Sequence, residues 1–164
     1  MKALFIGGIK SGKSLLAEEY TIANAKIKPY YLATTEFIDN EMNDRIEAHK
    51  LQREDKFITI EEPLFLYDTI FKQDDIVLVE CVSMWINNML YRNRDFSEIA
   101  AEVQKIMASE KSVVFVLNDV GAGIIPDNAL ARKYIDISGK ISQIIAKKCD
   151  SVFHVIAGIG TKIK

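Results

Sequence analysis

The sequence predicts an α/β fold, a mostly parallel sheet with helices on both faces, in a single domain spanning 1–164. Three observations predict it. Short, continuous apolar runs such as "DIVLVE" and "SVVFVLND" read as strands buried on both faces. Longer stretches with helical periodicity alternate with them, which implies right-handed crossovers between parallel strands. A glycine-rich turn joins the first strand directly to the first helix, beyond a strand's carboxyl end, where such sheets bind ligands.

The elements follow in order. "KALFIG" is the first strand, and the helix former "KSLLAEEYTIANA" comes after the glycines. "PYYLAT" is aromatic enough for a second strand. "DNEMNDRIEAHKLQRED" is highly charged, with Met42 and Ile46 four apart, and predicts an exposed helix. "FITIEE" is a short strand, followed by the strands "DIVLVE", "SVVFVLND" and "SVFHVIAG". A long helix begins near Asp127 or Asn128, its apolar stripe running through Leu130, Tyr134, Ile137, Ile141, Ile144 and Ile145. Gly139 near its middle predicts either a close approach by another element or a local relaxation of the helix.

Composition narrows the function classes. With 164 residues, 49% of them apolar and 27% charged, the chain suits one soluble globular core. No apolar run nears the roughly 20 residues that span a bilayer, and "MKALFIGG" lacks a secretory pattern. A formal net charge of −2 argues against non-specific nucleic-acid binding. Cys81 and Cys149 lack metal-ligand spacing and are expected to be buried free thiols. The expectation is a cytoplasmic protein that neither binds nucleic acid nor enters a membrane.

The turn itself is "GGIKSGKS", Gly7, Gly8, Ile9, Lys10, Ser11, Gly12, Lys13 and Ser14, which fits G-x-x-x-x-G-K-[ST]. Glycines let the backbone curl so that several N–H groups point at one phosphate. The next helix adds the positive end of its dipole, Lys13 adds a point charge, and the Ser14 hydroxyl suits Mg2+. The motif predicts a P-loop NTPase fold holding a nucleoside triphosphate. Glu80 and Asp119, each closing a buried strand, are the candidate metal carboxylates beside Ser14.

Of the two histidines, His154 sits inside a strand and is expected to be a hydrogen-bonded structural residue. His49 shares one helical face with Arg45 and Arg53, at i, i+4 and i+8. Spacing alone leaves two readings open. One is a solvated basic stripe. The other is a phosphate-handling face, in which two cations disfavour protonation of an imidazole whose ordinary pKa is about 6.5. A neutral ring can attack phosphorus, and the cations stabilise a polyphosphate leaving group.

The chain as a whole resembles one family. "GGIKSGKS", "YLATTEFIDNEMNDRIEAHKLQR", "VLVECVSMWINNML", "LNDVGAGIIPDNALARKYIDISGKISQ" and "VFHVIAGIGTKIK" occur in the order seen in the bifunctional adenosylcobinamide kinase/adenosylcobinamide-phosphate guanylyltransferases. The resemblance implies phosphorylation of adenosylcobinamide with ATP or GTP, then transfer of GMP from GTP to adenosylcobinamide phosphate. It implies a guanylylated histidine, which matches His49. Implied nucleotide contacts are the P-loop, Ala33, Thr34, Thr35, Lys50, Leu51, Gln52, Arg53, Glu61 and Glu80. A RecA-like sheet and a homotrimer are also implied. The chain departs from the family pattern at Asp119, Ser142, Glu54 and Phe57, without losing a proposed chemical group. The rival readings are a small-molecule kinase that never guanylylates and a P-loop switch or ATPase acting through partners.

Overall fold

The computed structural model describes residues 1–36 and 55–164. The predicted helix carrying Arg45, His49 and Arg53, and the contacts Lys50, Leu51 and Gln52, lie outside the described residues.

The chain runs β1 (Lys2–Gly7), α1 (Lys13–Asn24), β2 (Tyr30–Ala33), β3 (Ile58–Glu61), α2 (Leu66–Phe71) and β4 (Val77–Glu80). It continues α3 (Val82–Tyr91), α4 (Phe96–Ala108), β5 (Val113–Asn118), α5 (Ala129–Lys148), β6 (Ser151–Ile156) and β7 (Ile159–Lys162). The strands form one seven-stranded sheet in the order β3-β2-β4-β5-β1-β6-β7. Six are parallel, and β7 returns antiparallel beside β6.

Every strand predicted from an apolar run is present. The central ones bury both faces by strict alternation. Val113, Phe115 and Leu117 of β5 enter one core, while Val114 and Val116 enter the other. Val77 and Val79 of β4 oppose Leu78 in the same way. Successive side chains on a strand point to opposite faces, so an unbroken apolar run is what a doubly covered strand requires. α1 covers one face through Ala17, with Leu16 and Tyr20 against it. α2, α3, α4 and α5 supply residues to the other.

Local chemistry sets the helix ends. α4 starts with a full capping box: Asp95 accepts from the Glu98 N–H, and Glu98 accepts from the Asp95 N–H. Both carboxyls are held below their ordinary pKa, Asp95 first by the Ser97 hydroxyl and Glu98 first by the Asp95 N–H. α5 starts at Asn128, whose side chain accepts from the N–H groups of Leu130 and Ala131. The predicted long helix is therefore correct in position and cause. Of the two readings of Gly139, close approach within this chain finds no support: a β-carbon there would meet nothing within 4 Å among the described residues. The Ser142 hydroxyl donates to the Gly139 carbonyl instead, at 2.8 Å.

The thiols also need a correction. Cys149 is buried, as expected, but Cys81 is only half-buried by surface exposure. Neither is a reactive thiolate at neutral pH: burial pushes Cys81 up to about 11, helped by the Glu80 carboxylate, and burial pushes Cys149 up to about 12. His154 also departs from expectation: it is half-buried on β6, between Ile6 and Thr161, but the expected side-chain hydrogen bond is not made among the described residues.

Trp85 anchors α3 to the core. It is 0% exposed and donates its indole N–H to the Leu64 carbonyl at 2.9 Å. Trp85→Phe removes the donor and leaves a void. It should lower the unfolding free energy by about 1–3 kcal/mol, read from the urea midpoint at unchanged m-value.

Candidate nucleotide-binding site

The carboxyl edge of the sheet assembles residues that are far apart in sequence. Glu61, Ala33 and Glu80 lie in register across β3, β2 and β4. Asn118, Gly7 and Val155 do the same across β5, β1 and β6. The phosphate loop leaves β1 in the second row, where the chain moves to a distant strand of the sheet.

Within the loop, Gly7 cannot carry a side chain: a β-carbon there would run into the Val155 carbonyl oxygen. Gly12 has φ +91 and is the N-cap of α1. Lacking a side chain, it leaves the first-turn N–H groups without a side-chain cap. Those donors and the helix dipole are suited to the anion that the motif predicts. Ser11 N–H closes the loop onto the Gly8 carbonyl at 3.2 Å. Gly8, Ile9 and Lys10 are exposed at the crest, with Lys10 at φ 57.

Lys13 is only 6% exposed and donates to the Gly8 carbonyl at 3.1 Å. A buried ammonium needs compensating negative charge, and a neutral carbonyl supplies little of it. A phosphate tail fits that demand. The Ser14 hydroxyl donates to Glu80 Oε1 at 2.8 Å. The predicted hydroxyl and one predicted carboxylate therefore meet, and they come from β4 and the start of α1. Hard oxygen ligands of this kind fit Mg2+, with phosphate and water oxygens completing its coordination. Among the described residues no cluster of three or more His, Cys, Asp or Glu could hold a metal without such help. Asp119 follows β5, where its N–H donates to the Gly7 carbonyl at 2.9 Å and its Oδ1 accepts from Gly121 at 3.3 Å.

The "ATT" segment lies beside Glu80. Thr34 is fully buried; its N–H donates to the Glu80 carbonyl, and its hydroxyl donates to the Cys81 carbonyl and accepts from the Cys81 N–H. Asn88 of α3 donates to the Thr34 carbonyl at 2.6 Å and the Pro63 carbonyl at 3.1 Å. Thr34 thus knits the β2 and β4 ends together, while Thr35 is half-buried and Glu61, in register with Ala33, is exposed. A separate cleft of about 790 Å³, lined in part by Leu64, Phe65, Met89, Arg92 and Glu98, contains none of the predicted site residues. One contact to the loop was missed in the sequence: the β6–β7 turn, where Gly158 donates its N–H to the Ser11 carbonyl at 2.7 Å. Its signal was "IAGIG", two glycines at and just past the end of the predicted strand "SVFHVIAG", which in the structure stops at Ile156.

Sheet and loop together define a P-loop nucleotide-binding protein of the α/β class. A solved structure with the same fold is the flagellar accessory protein FlaH from Methanocaldococcus jannaschii. Its TM-score is 0.51 at 12% identity, over 98% of this chain and 75% of that one. The family model "Cobinamide kinase / cobinamide phosphate guanyltransferase" matches residues 3–163. The chain belongs to that family and is an enzyme of its class. The bifunctional adenosylcobalamin biosynthesis protein CobU of Escherichia coli (strain K12) is 35% identical, over 100% of both chains. The bifunctional adenosylcobalamin biosynthesis protein CobP of Pseudomonas aeruginosa is 33% identical, over 100% of this chain and 98% of that one. No helix among the described residues is long and apolar enough to cross a membrane.

Proposed function

We propose that the protein phosphorylates the free hydroxyl of adenosylcobinamide with ATP or GTP, and then converts adenosylcobinamide phosphate to adenosylcobinamide-GDP with GTP. The supporting observation is the cradle itself: a buried Lys13, an α1 N-terminus without a side-chain cap, and Ser14 bonded to Glu80, in a chain of this family. In the first reaction the acceptor oxygen attacks the γ-phosphorus, and the nucleoside diphosphate leaves. In the second, His49 attacks the α-phosphorus of GTP and pyrophosphate leaves. The acceptor's phosphate oxygen then displaces the imidazole and takes the GMP.

Both reactions place a triphosphate tail in the same loop. The N–H groups of the loop and Lys13 neutralise charge that grows on the departing phosphates. Ser14 and Glu80 would hold Mg2+, with Asp119 as the further proposed carboxylate; the metal would draw electron density from the phosphate oxygens. Arg45 and Arg53 would keep His49 neutral and favour the pyrophosphate. Ala33, Thr34, Thr35, Lys50, Leu51, Gln52 and Glu61 complete the proposed nucleotide contacts. A cytoplasmic homotrimer is the proposed setting.

Mass spectrometry of products from adenosylcobinamide, GTP and Mg2+ tests the reading. The expected product is adenosylcobinamide-GDP with pyrophosphate, and replacing GTP by ATP should stop the reaction at the phosphate. Accumulation of the phosphate with GTP present would leave a kinase alone. For the metal, Glu80→Gln keeps an acceptor for Ser14 but loses the charge. It should raise the Mg2+ concentration needed for half-maximal rate by about tenfold or more, measured by Mg2+ titration of the kinase reaction.

A further inference from the structure

We propose that the β6–β7 turn is a brace that holds the phosphate loop in its binding shape before nucleotide arrives, with Gly158 as the positioning residue. β7 adds little to the core, since all four of its residues are exposed and Ile159 is 71% exposed. What the hairpin does is touch the loop and the helix after it at successive points. The Val155 carbonyl lies where a side chain on Gly7 would go. Gly158 donates its N–H to the Ser11 carbonyl at 2.7 Å. A β-carbon on Gly12 would come within 2.9 Å of the Gly158 Cα, so the two backbones are in direct contact. Gly160 packs on Leu16 of α1, where a β-carbon would lie 3.1 Å from Cδ1.

The turn's conformation is specific. Ala157 and Gly158 both have positive φ, 51 and 79, the pairing that closes a two-residue hairpin without splaying its strands. Alanine is disfavoured there, and a disfavoured backbone persists where its surroundings over-determine it. The Ser11 carbonyl needs a partner because Ser11 is only 8% exposed. With that carbonyl tied down, the N–H groups of the loop face the phosphate site without reorganisation on binding, which raises affinity by removing an ordering cost.

A β-carbon at Gly158 meets nothing within 4 Å, so substitutions there act on the backbone angle and not through a clash. Gly158→Val, β-branched at positive φ, should drive the turn out of place. Gly158→Asn tolerates the left-handed region and should keep it. Inorganic tripolyphosphate is the probe, because it occupies the cradle without a base. By calorimetry, Gly158→Val is expected to weaken tripolyphosphate and GTP binding alike, by about tenfold or more, with Gly158→Asn near the parent. In kinase assays KM for the triphosphate should rise in the Val variant, whereas a partly unfolded preparation loses kcat at constant KM.

Parental tripolyphosphate affinity in Gly158→Val overturns the brace. So does equal loss in Gly158→Asn, or loss for GTP but not for tripolyphosphate. If Gly158→Val does not fold, hydrogen exchange on the parent decides: the Gly158 amide should be protected in the nucleotide-free protein, and fast exchange there overturns the proposal. The brace rests on Gly7–Ser14 being a triphosphate cradle. A parent protein that fails to bind tripolyphosphate overturns that reading as well, whereas a parent that binds it no better than the Val variant overturns the brace alone.

Discussion

Replacing Lys13 by alanine is expected to abolish phosphorylation and guanylyl transfer together, each kcat/KM falling by roughly 10²–10³-fold, the scale set by removing one preorganised donor. The two reactions break different bonds, one at the γ-phosphorus and one at the α-phosphorus. Both, however, must neutralise charge on the β- and γ-phosphates as they are gripped in one loop. Lys13 is the charge proposed there, 6% exposed and donating to the neutral Gly8 carbonyl. Lys13→Arg should not restore activity, because a compact ammonium and a broad planar guanidinium do not fit the same buried place. Circular dichroism should show both variants folded. Survival of either reaction at the parental rate would mean that the two reactions do not share this cradle.

Replacing His49 by alanine should separate the reactions. Guanylyl transfer is expected to fall by roughly 10⁴-fold or more, as when a covalent nucleophile is removed. Phosphorylation should continue near the parental rate, because the acceptor hydroxyl attacks the γ-phosphorus without a covalent intermediate. Incubation with GTP labelled at the α-phosphate and Mg2+ gives the direct reading. The parent should carry an acid-labile, alkali-stable label, and His49→Ala should carry none. Full labelling of the variant would remove His49 from the mechanism. Loss of both activities in a folded variant would show that the residue also serves the kinase step.

The phosphate loop was legible because its chemistry is local. Glycines, lysine and serine at fixed spacing act through their own backbone and the helix that follows, so eight consecutive residues carry the information. The strands were legible for a related reason. Val113 to Leu117 must face two cores at once, and only an unbroken apolar run satisfies both. α2, α3 and α4 were not predicted. Trp85, Ile86 and Met89 of α3 mix with buried Ser83 and Asn88, whose hydroxyl oxygen and amide N–H groups pair with distant backbone, so no clean stripe marks the helix. β7 was missed because it is an exposed edge strand with no apolar alternation to betray it.

By itself, then, the sequence determined that this chain makes a parallel α/β sheet around a triphosphate loop, and its ordered motifs pointed to the family. These properties depend on neighbours in the chain and on side-chain periodicity. Only the tertiary structure decided which carboxylate meets Ser14, since Glu80 and Asp119 close equally plausible strands and their distance from the loop is set by strand order. It alone placed Gly158 against Ser11 and Gly12, because contacts across nearly the whole chain arise when β6 pairs with β1, and no local pattern encodes that pairing.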